Sequence, residues 1–540
     1  MVAAASPVVD RDDAPTSPFV TPLLTDLYQI SMAYAYWRAG RHDDLAVFDL
    51  FFRHNPFNGE YTVFAGLSEC LRFVNAYRFS ESDIAHLRRK YPMMDGAFFD
   101  YLATLDARRL RIYAIDEGTV VFPRVPLIRV EGPLLLAQLM ETTFLVLVNF
   151  ASLITTNAAR HREVVGDRTA LLEFGLRRAQ GPDGGMSASR YAYMGGFNAT
   201  SNVLAGKLFD IEVKGTHAHA FVSSFTSMDD LKTTTIVSPT GEPVEFAALC
   251  TAYRDRLGVS TNTSELAAFI SYAQAFPNGF LALIDTYTVL DSGLYNFLAV
   301  ALALHDIGYK PVGLRLDSGD LAYFSNECRK AFIDISDRFG VSFENLTIVA
   351  SSDINEDVLQ SLTVQGHSID SFGIGTHLVT CQKQPALGCV YKLVEINGHP
   401  RIKVSADIGK VTIPGRKTAY RLFNEQGVPV IDLLAQAHEP APVANCRIRC
   451  NHPVEHQKRC DVLPSRVEDL LRLAWADGKR ARPEPTLREL RDRVRAQVQS
   501  LRPDHRRFLN PTPYKVSLTT SLLTFMHTLW LDETPVQVLR

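Results

Sequence analysis

The stretch FLALIDTYTVLDSGLYNFLAVALALHDIGYKPVGLRLDSGD (280–320) decides the fold. It opens on a short apolar run that stops at Asp285 and passes through a helix-like segment, SGLYNFLAVALALHDIG (292–308). A second apolar run then stops at Asp317. Short continuous apolar runs of this kind suit strands buried on both faces, the condition of a parallel sheet. The same unit recurs in TALLEFG (169–175), FDIEVKGTHAH (209–219), LTIVASSDI (346–354) and IDSFGIGT (369–376), with another helical piece in LAYFSNECRKAFIDISDRFG (321–340). Run-ends near Asp285, Asp317, Asp353 and Thr376 lie 32, 36 and 23 residues apart, the period of strand–helix–strand units. The class is α/β. Strands that each end on Asp, Ser, Thr or His suggest a (β/α) barrel, whose chemistry sits at the carboxyl ends of its strands. A doubly wound open sheet obeys the same rule at its switch point; the barrel is the favoured reading.

Outward from this centre the texture changes on both sides. Residues 1–20 read as a disordered leader without the basic flank and apolar run of a signal peptide. Residues 21–154 read as an α/β domain. Its helix, LYQISMAYAYWRAG, is capped by Thr25 or Asp26 and closed by Gly40; LAVFDLFFR (45–53) is an alternating strand; and 134–154 is one long buried helix started by Gly132-Pro133. The barrel takes 155–389. Strands and helices fill 390–540, with part of 390–440 expected to complete the N-terminal domain. A late helix after Pro485 presents Leu487, Leu490, Val494, Val498 and Leu501 on one face and Arg488, Arg491, Arg493 and Arg495 on the other, a solvated face rather than a nucleic-acid arm.

The 540 residues suffice for two to four domains, and 46% hydrophobic with 21% charged content is ordinary globular material. Lys plus Arg number 56 against 59 acidic residues, a net charge of −3, which gives no bulk pull toward nucleic acid or an anionic membrane. Leu134 to Ile154 is interrupted by Gln138, Glu141 and Asn149 and falls short of a membrane span. Eight cysteines imply no disulfide scaffold. A soluble cytoplasmic protein is expected.

Four segments carry chemistry. In SFGIGTHLVT (371–380), Gly373 and Gly375 allow close backbone approach to a ligand, and Thr376 at a helix start suits a phosphate; a ligand-free glycine turn is the alternative. In RLDSGDL (315–321), alternation sends Arg315 and Asp317 to the same side of a strand. Arg315 there suits a planar carboxylate, and Asp317 with Asp320 suits Mg²⁺; an internal ion pair with a capping turn is the bland reading. His217 and His219 lie at i and i+2, where a phosphate-accepting or proton-transferring histidine competes with a structural one. Arg177 and Arg178, before a glycine loop, suit a diphosphate or simply solvent. Cys446, Cys450, His452, His456 and Cys460 match no standard zinc spacing and read as unliganded.

With these residues laid out, the chain resembles the nicotinate phosphoribosyltransferase family of animal type. The carriers are PLLTDLYQ (22–29), TTNAAR (155–160), FGLRRAQGPDGG (174–185), GGFNATSNVLAG (195–206), GTHAHAFV (215–222), RLDSGDL, FGIGT (372–376) and YKLV (391–394), in order over nearly the whole chain. The resemblance implies an irregular (β/α) barrel of the type II phosphoribosyltransferase kind, with an N-terminal α/β domain and a C-terminal extension. It implies joining of nicotinate to 5-phosphoribosyl 1-diphosphate, giving nicotinate mononucleotide and diphosphate, with ATP as co-substrate through a phosphohistidine, and hence a formal ligase. His219 matches the phosphohistidine, and Asp317 a catalytic carboxylate. Tyr28, Thr216 and Arg315 match nicotinate ligands; Thr376, Gly375, Gly373, Arg177, Arg178 and Ser352 fall to the phosphoribosyl diphosphate. Mg²⁺ or Mn²⁺ at Asp317 and Asp320, and a homodimer in which Tyr28 reaches the neighbouring subunit's site, are implied likewise. His217 and Phe372 depart from the family pattern, where an apolar and an aliphatic residue are usual. A nicotinamide-using transferase, a phosphosugar-binding regulator and a barrel hydrolase using Asp285 with Asp317 are the rivals.

Overall fold

A computed structural model describes residues 14–404, 410–455 and 457–534. The chain divides into two compact units: Arg160–Cys381, and Met1–Ala159 together with Gln382–Arg540. The divisions thus fall at 159/160 and 381/382 rather than at 154/155 and 389/390. All of the C-terminal segment shares one unit with the N-terminal one.

In the unit Arg160–Cys381, six parallel strands form one sheet: β1 (Ala170–Glu173), β2 (Ala199–Thr200), β3 (Leu281–Leu283), β4 (Gly313–Leu316), β5 (Thr347–Ala350) and β6 (Ser371–Ile374), in the order β3-β4-β5-β6-β1-β2. The strands are short and almost wholly buried, as their unbroken apolar runs require. The expected strand 209–219 is different. It makes one parallel bridge, Thr200 to Val213, and then leaves the sheet. Its residue His217 turns back to β3, where Nε2 accepts the backbone N–H of Leu283 at 3.1 Å. No ladder joins the two edges at the barrel's last seam among the described residues; side chains span it, this one and His219, whose Nε2 lies 3.1 Å from Asp285 Oδ1.

Helices follow the strands: α1 (Gly181–Met194) after β1, α2 (His219–Val222), α3 (Thr263–Ala275), α4 (Leu294–Asp306) after β3, α5 (Leu321–Phe339) after β4, α6 (Glu356–Gln365) after β5 and α7 (Thr376–Thr380) after β6. A π-helical turn, Val289–Gly293, leads into α4. There a Cβ on Gly293 would lie 1.9 Å from the Ile284 carbonyl oxygen, so only glycine lets this turn press against the end of β3. Asp320 caps α5 by accepting the Tyr323 N–H at 3.0 Å.

The other unit holds two large sheets besides the two-stranded pair Thr62–Val63 with Val120–Val121. The first is antiparallel throughout and runs His399–Pro400, Val390–Ile396, Leu45–Phe51, Ile128–Pro133, Arg111–Ala114, Arg472–Ala476, Lys479–Arg480. Chain far beyond 440 thus completes the N-terminal sheet. The strand expected to alternate, Leu45–Phe51, is buried on both faces after its first residue. The second sheet runs Arg459–Val462, Ile448–Asn451, Lys515–Leu518, Pro429–Gln436, Lys417–Phe423, Arg466–Asp469.

The N-terminal helix spans Leu27–Arg38 with Asp26 at its start, yet the Asp26 side chain makes no capping bond. The helix expected over 134–154 is broken at Met140 into Leu134–Leu139 and Glu141–Val165. Leu134–Val165 is long and apolar enough by composition to cross a membrane, more than its first 21 residues suggest, and 61% of its most apolar window is buried inside the protein. Residues 1–13 of the expected leader lie outside the described residues. From Ala14 on the chain is held: Thr16 donates to Glu69 through N–H and hydroxyl at 2.9 and 2.7 Å, and Arg72 reaches the Ala14 carbonyl at 3.2 Å. In the late helix, Leu487–Ser500, Leu490, Val494 and Val498 are buried, and Arg493 donates to the Glu117 carbonyl at 2.8 Å.

Candidate active site

The carboxyl ends of the barrel strands gather the chemistry. Arg315, on β4, is the hub. Its Nε donates to Ser351 Oγ at 2.8 Å, Nη2 to Asp317 Oδ1 at 3.1 Å, and Nη1 reaches Thr216 Oγ1 at 3.4 Å. The Ser351 hydroxyl also donates to the same Asp317 oxygen. The guanidinium lies over the Phe174 ring, 5.3 Å from its centroid. Two of its three nitrogens are therefore well committed and the third is loosely held. Nη1 and the Thr216 hydroxyl form an edge that a planar carboxylate can complete.

A second cluster surrounds Asp285, which follows β3 and is buried. Its Oδ1 lies 3.1 Å from His219 Nε2, and its Oδ2 accepts the Ser318 hydroxyl. The carboxylate partner places the proton of a neutral His219 on Nε2 and leaves the lone pair on Nδ1. His219 opens α2 with its side chain 44% exposed. His217, two residues earlier, is buried, and burial pushes its pKa down to about 4. It is a neutral, structural acceptor. The two histidines serve different ends, and they form no metal pair.

The predicted phosphate segment folds as β6 followed by α7, with Thr376 at the helix start. Gly373 has another reason to be glycine: a Cβ there would sit 2.3 Å from the Phe174 ring. Its bare backbone seats the ring that underlies Arg315. Gly375 stands 3.1 Å, by the same measure, from the Phe174 carbonyl oxygen. Arg177 and Arg178 lie exposed on a 3-10 turn after β1, and neither guanidinium is paired among the described residues. Ser352 is exposed and, with Asp353, takes positive φ (114° and 43°), a costly backbone for residues other than glycine.

Asp317 spends Oδ1 on Arg315 and Ser351, Asp320 spends Oδ1 on its capping bond, and each leaves Oδ2 unbonded among the described residues. One open carboxylate oxygen suits Mg²⁺, which takes few protein ligands and completes its shell with phosphate and water. Asp317 and Asp320 both retain such an oxygen. No group of three metal-ligating side chains occurs among the described residues, the 446–460 segment included; His456 lies outside them. Tyr28 belongs to the other unit, on the helix Leu27–Arg38, where it is half-exposed.

Sequence reasoning missed Ser351 and Phe174, read Ser318 only as part of a capping turn, and gave Asp285 only a hydrolytic role. Ser351 was within reach. Arg315 pairs in register with Val349, so parity along two parallel strands puts Ser351 on the side of Asp317.

Family models match three segments: the nicotinate phosphoribosyltransferase N-terminal domain at 23–149, the nicotinate phosphoribosyltransferase family at 169–429, and the corresponding C-terminal domain at 416–526. Nicotinate phosphoribosyltransferase 1 of Arabidopsis thaliana is 54% identical over 539 residues, covering 97% of this chain and 96% of that protein. The Homo sapiens nicotinate phosphoribosyltransferase is 46% identical over 525 residues, covering 95% and 97%. The crystal structure of human nicotinic acid phosphoribosyltransferase superposes with a TM-score of 0.85 at 44% identity, covering 94% of this chain and 99% of that one.

Proposed function

The chain belongs to the nicotinate phosphoribosyltransferase family, and from that premise we propose that it joins nicotinate to 5-phosphoribosyl 1-diphosphate at the mouth of the barrel. The observation that carries the reading is the half-committed Arg315: Ser351 and Asp317 hold two nitrogens, and the third stands open beside Thr216. A ring carboxylate completes that edge, and Phe174 beneath the guanidinium holds it in place. The pyridine nitrogen donates its lone pair to C1 of the ribose. The C1–N bond forms as the C1–O bond to diphosphate breaks, with no protein nucleophile and no proton to move. The protein's work is alignment and charge. Thr376 at the start of α7 and the unpaired Arg177 and Arg178 suit the phosphates. Asp317 would hold a Mg²⁺ ion, whose charge would help to neutralise the leaving diphosphate.

ATP enters at His219. Its Nδ1 attacks the γ-phosphorus, the bond to the β-phosphate oxygen breaks and ADP leaves, while Asp285 holds the Nε2 proton and steadies the ring's charge. A homodimer with Tyr28 at the neighbouring subunit's site, and a cytoplasmic location, complete the proposal.

The test incubates the protein with phosphoribosyl diphosphate, Mg²⁺ and either nicotinate or nicotinamide, with and without ATP. Mononucleotide from nicotinate, raised by ATP in wild type and unresponsive to ATP in His219→Ala, is expected. Product from nicotinamide at equal rate overturns the carboxylate clamp, and equal ATP stimulation of both proteins overturns the phosphohistidine. No product from either substrate points to a binding-only regulator.

A further inference from the structure

Cys450 and Cys460, which the proposed reaction does not use, face each other across an antiparallel pair. The strands Ile448–Asn451 and Arg459–Val462 run in the register Ile448–Val462, Arg449–Asp461, Cys450–Cys460, Asn451–Arg459. The His452 N–H donates to the Lys458 carbonyl at 2.9 Å, so 452–458 is a hydrogen-bonded pair, and two residues on so is 450–460. Opposed residues of that type have Cα atoms about 5.5 Å apart, inside the range a disulfide spans. Alternation puts both side chains on one face of the ribbon. On the opposite face Arg449 Nε donates to Asp461 at 2.5 Å, which holds the register.

The two thiols differ in access. Cys450 is buried in the sheet's apolar cluster with Tyr420, Leu422 and Ile431, whereas Cys460 is exposed. Both line a cavity of about 550 Å³ shared with His452, Arg459 and Lys515. A shared zinc ion is a poor fit, because His452 Nδ1 accepts the N–H groups of Val454 and Glu455 at 3.2 and 2.9 Å.

We propose that Cys450 and Cys460 form a reversible dithiol–disulfide site, closed by a peroxide and reopened by small thiols. The Cys460 sulfur attacks a peroxide oxygen, the O–O bond breaks, and water leaves a sulfenic acid on Cys460. The Cys450 sulfur then attacks the Cys460 sulfur; the S–O bond breaks and the hydroxyl leaves as water with the Cys450 proton. Two thiols are oxidised and one hydrogen peroxide is reduced to two waters. Burial pushes the Cys450 thiol up to about 12, so it resists direct attack and acts only as the resolving partner.

The test treats the reduced full-length protein with hydrogen peroxide, blocks remaining thiols and maps linked peptides by mass spectrometry. Expected are a loss of two hydrogen atoms, two fewer alkylated cysteines, a Cys450–Cys460 link and full recovery with dithiothreitol. Cys460→Ser abolishes the link and Cys446→Ser retains it; both positions are exposed, so both variants fold. Unchanged alkylation after peroxide overturns the proposal. So does oxygen addition on Cys460 without a link, or a link from Cys460 to any other cysteine or chain.

Discussion

The protein contains the same ion pair built to opposite purposes. In the unit that holds the C-terminal sheet, Arg421 and Asp432 are both essentially buried and meet through two parallel bonds of 2.8 Å. The remaining capacity is consumed as well: Arg421 donates to the Val120 carbonyl at 2.8 Å, Tyr514 donates to Asp432 at 3.1 Å, and the guanidinium lies over Phe122. Burial alone would lower the Arg421 pKa, but Asp432 outweighs it and the net shift is upward. In the barrel, Arg315 meets Asp317 through one bond and keeps an open edge. A closed pair spends all its bonding on the fold, and an open one keeps part of it for a ligand. Neighbouring histidines repeat the contrast, His217 sealed into the seam and His219 facing solvent.

Four experiments sharpen or break this contrast. Arg421→Ala leaves Asp432 buried without its cation and costs about 3–5 kcal/mol of stability; denaturant unfolding measures it, and a loss under 1 kcal/mol erases the distinction between the pairs. The sealed His217 makes stability depend on pH. Its folded pKa, about 4, lies below the 6.5 of the free side chain, so the unfolded chain binds the extra proton. Stability is complete above pH 6.5 and falls by roughly 3 kcal/mol as pH drops to 4. In His217→Gln, whose amide oxygen still accepts the Leu283 N–H, that slope flattens, and an unchanged slope assigns the loss to other groups. Arg315→Ala removes charge-assisted bonds worth about 1.5–3 kcal/mol, so kcat/KM for nicotinate falls roughly 10- to 150-fold while the unfolding midpoint stays put. A matching loss of stability would make this pair a closed one too. Gly373→Ala drives a methyl into Phe174 at an overpacking cost of about 1–3 kcal/mol. It raises KM for nicotinate through the displaced Arg315, and an unaltered KM breaks the chain from Gly373 to the guanidinium.

Much of the barrel was legible because its strands are buried on both faces and so appear as unbroken apolar runs ending at Asp285, Asp317, Asp353 and Thr376. Arg315 and Asp317 were legible for the same local reason, a two-residue period that puts both on one side. Contacts made by closure were not. Phe174 follows β1 and Arg315 lies on β4, strands separated by two others in the sheet; they meet across the mouth, and no sequence period encodes that distance. Strand 209–219 failed because its residues pair only at Val213 and spend their last contact through a side chain. The helix 134–154 was misjudged because Met140 interrupts it without glycine or proline.

That side-chain contact has a mechanical consequence. A ladder of backbone bonds would fasten the last seam along its length; here two side-chain contacts do, the imidazole of His217 on the Leu283 amide and that of His219 on Asp285. His219, two residues beyond His217, meets Asp285, two residues beyond Leu283, at 3.1 Å. The barrel's rim at that point is joined at separate side-chain contacts rather than along a welded edge.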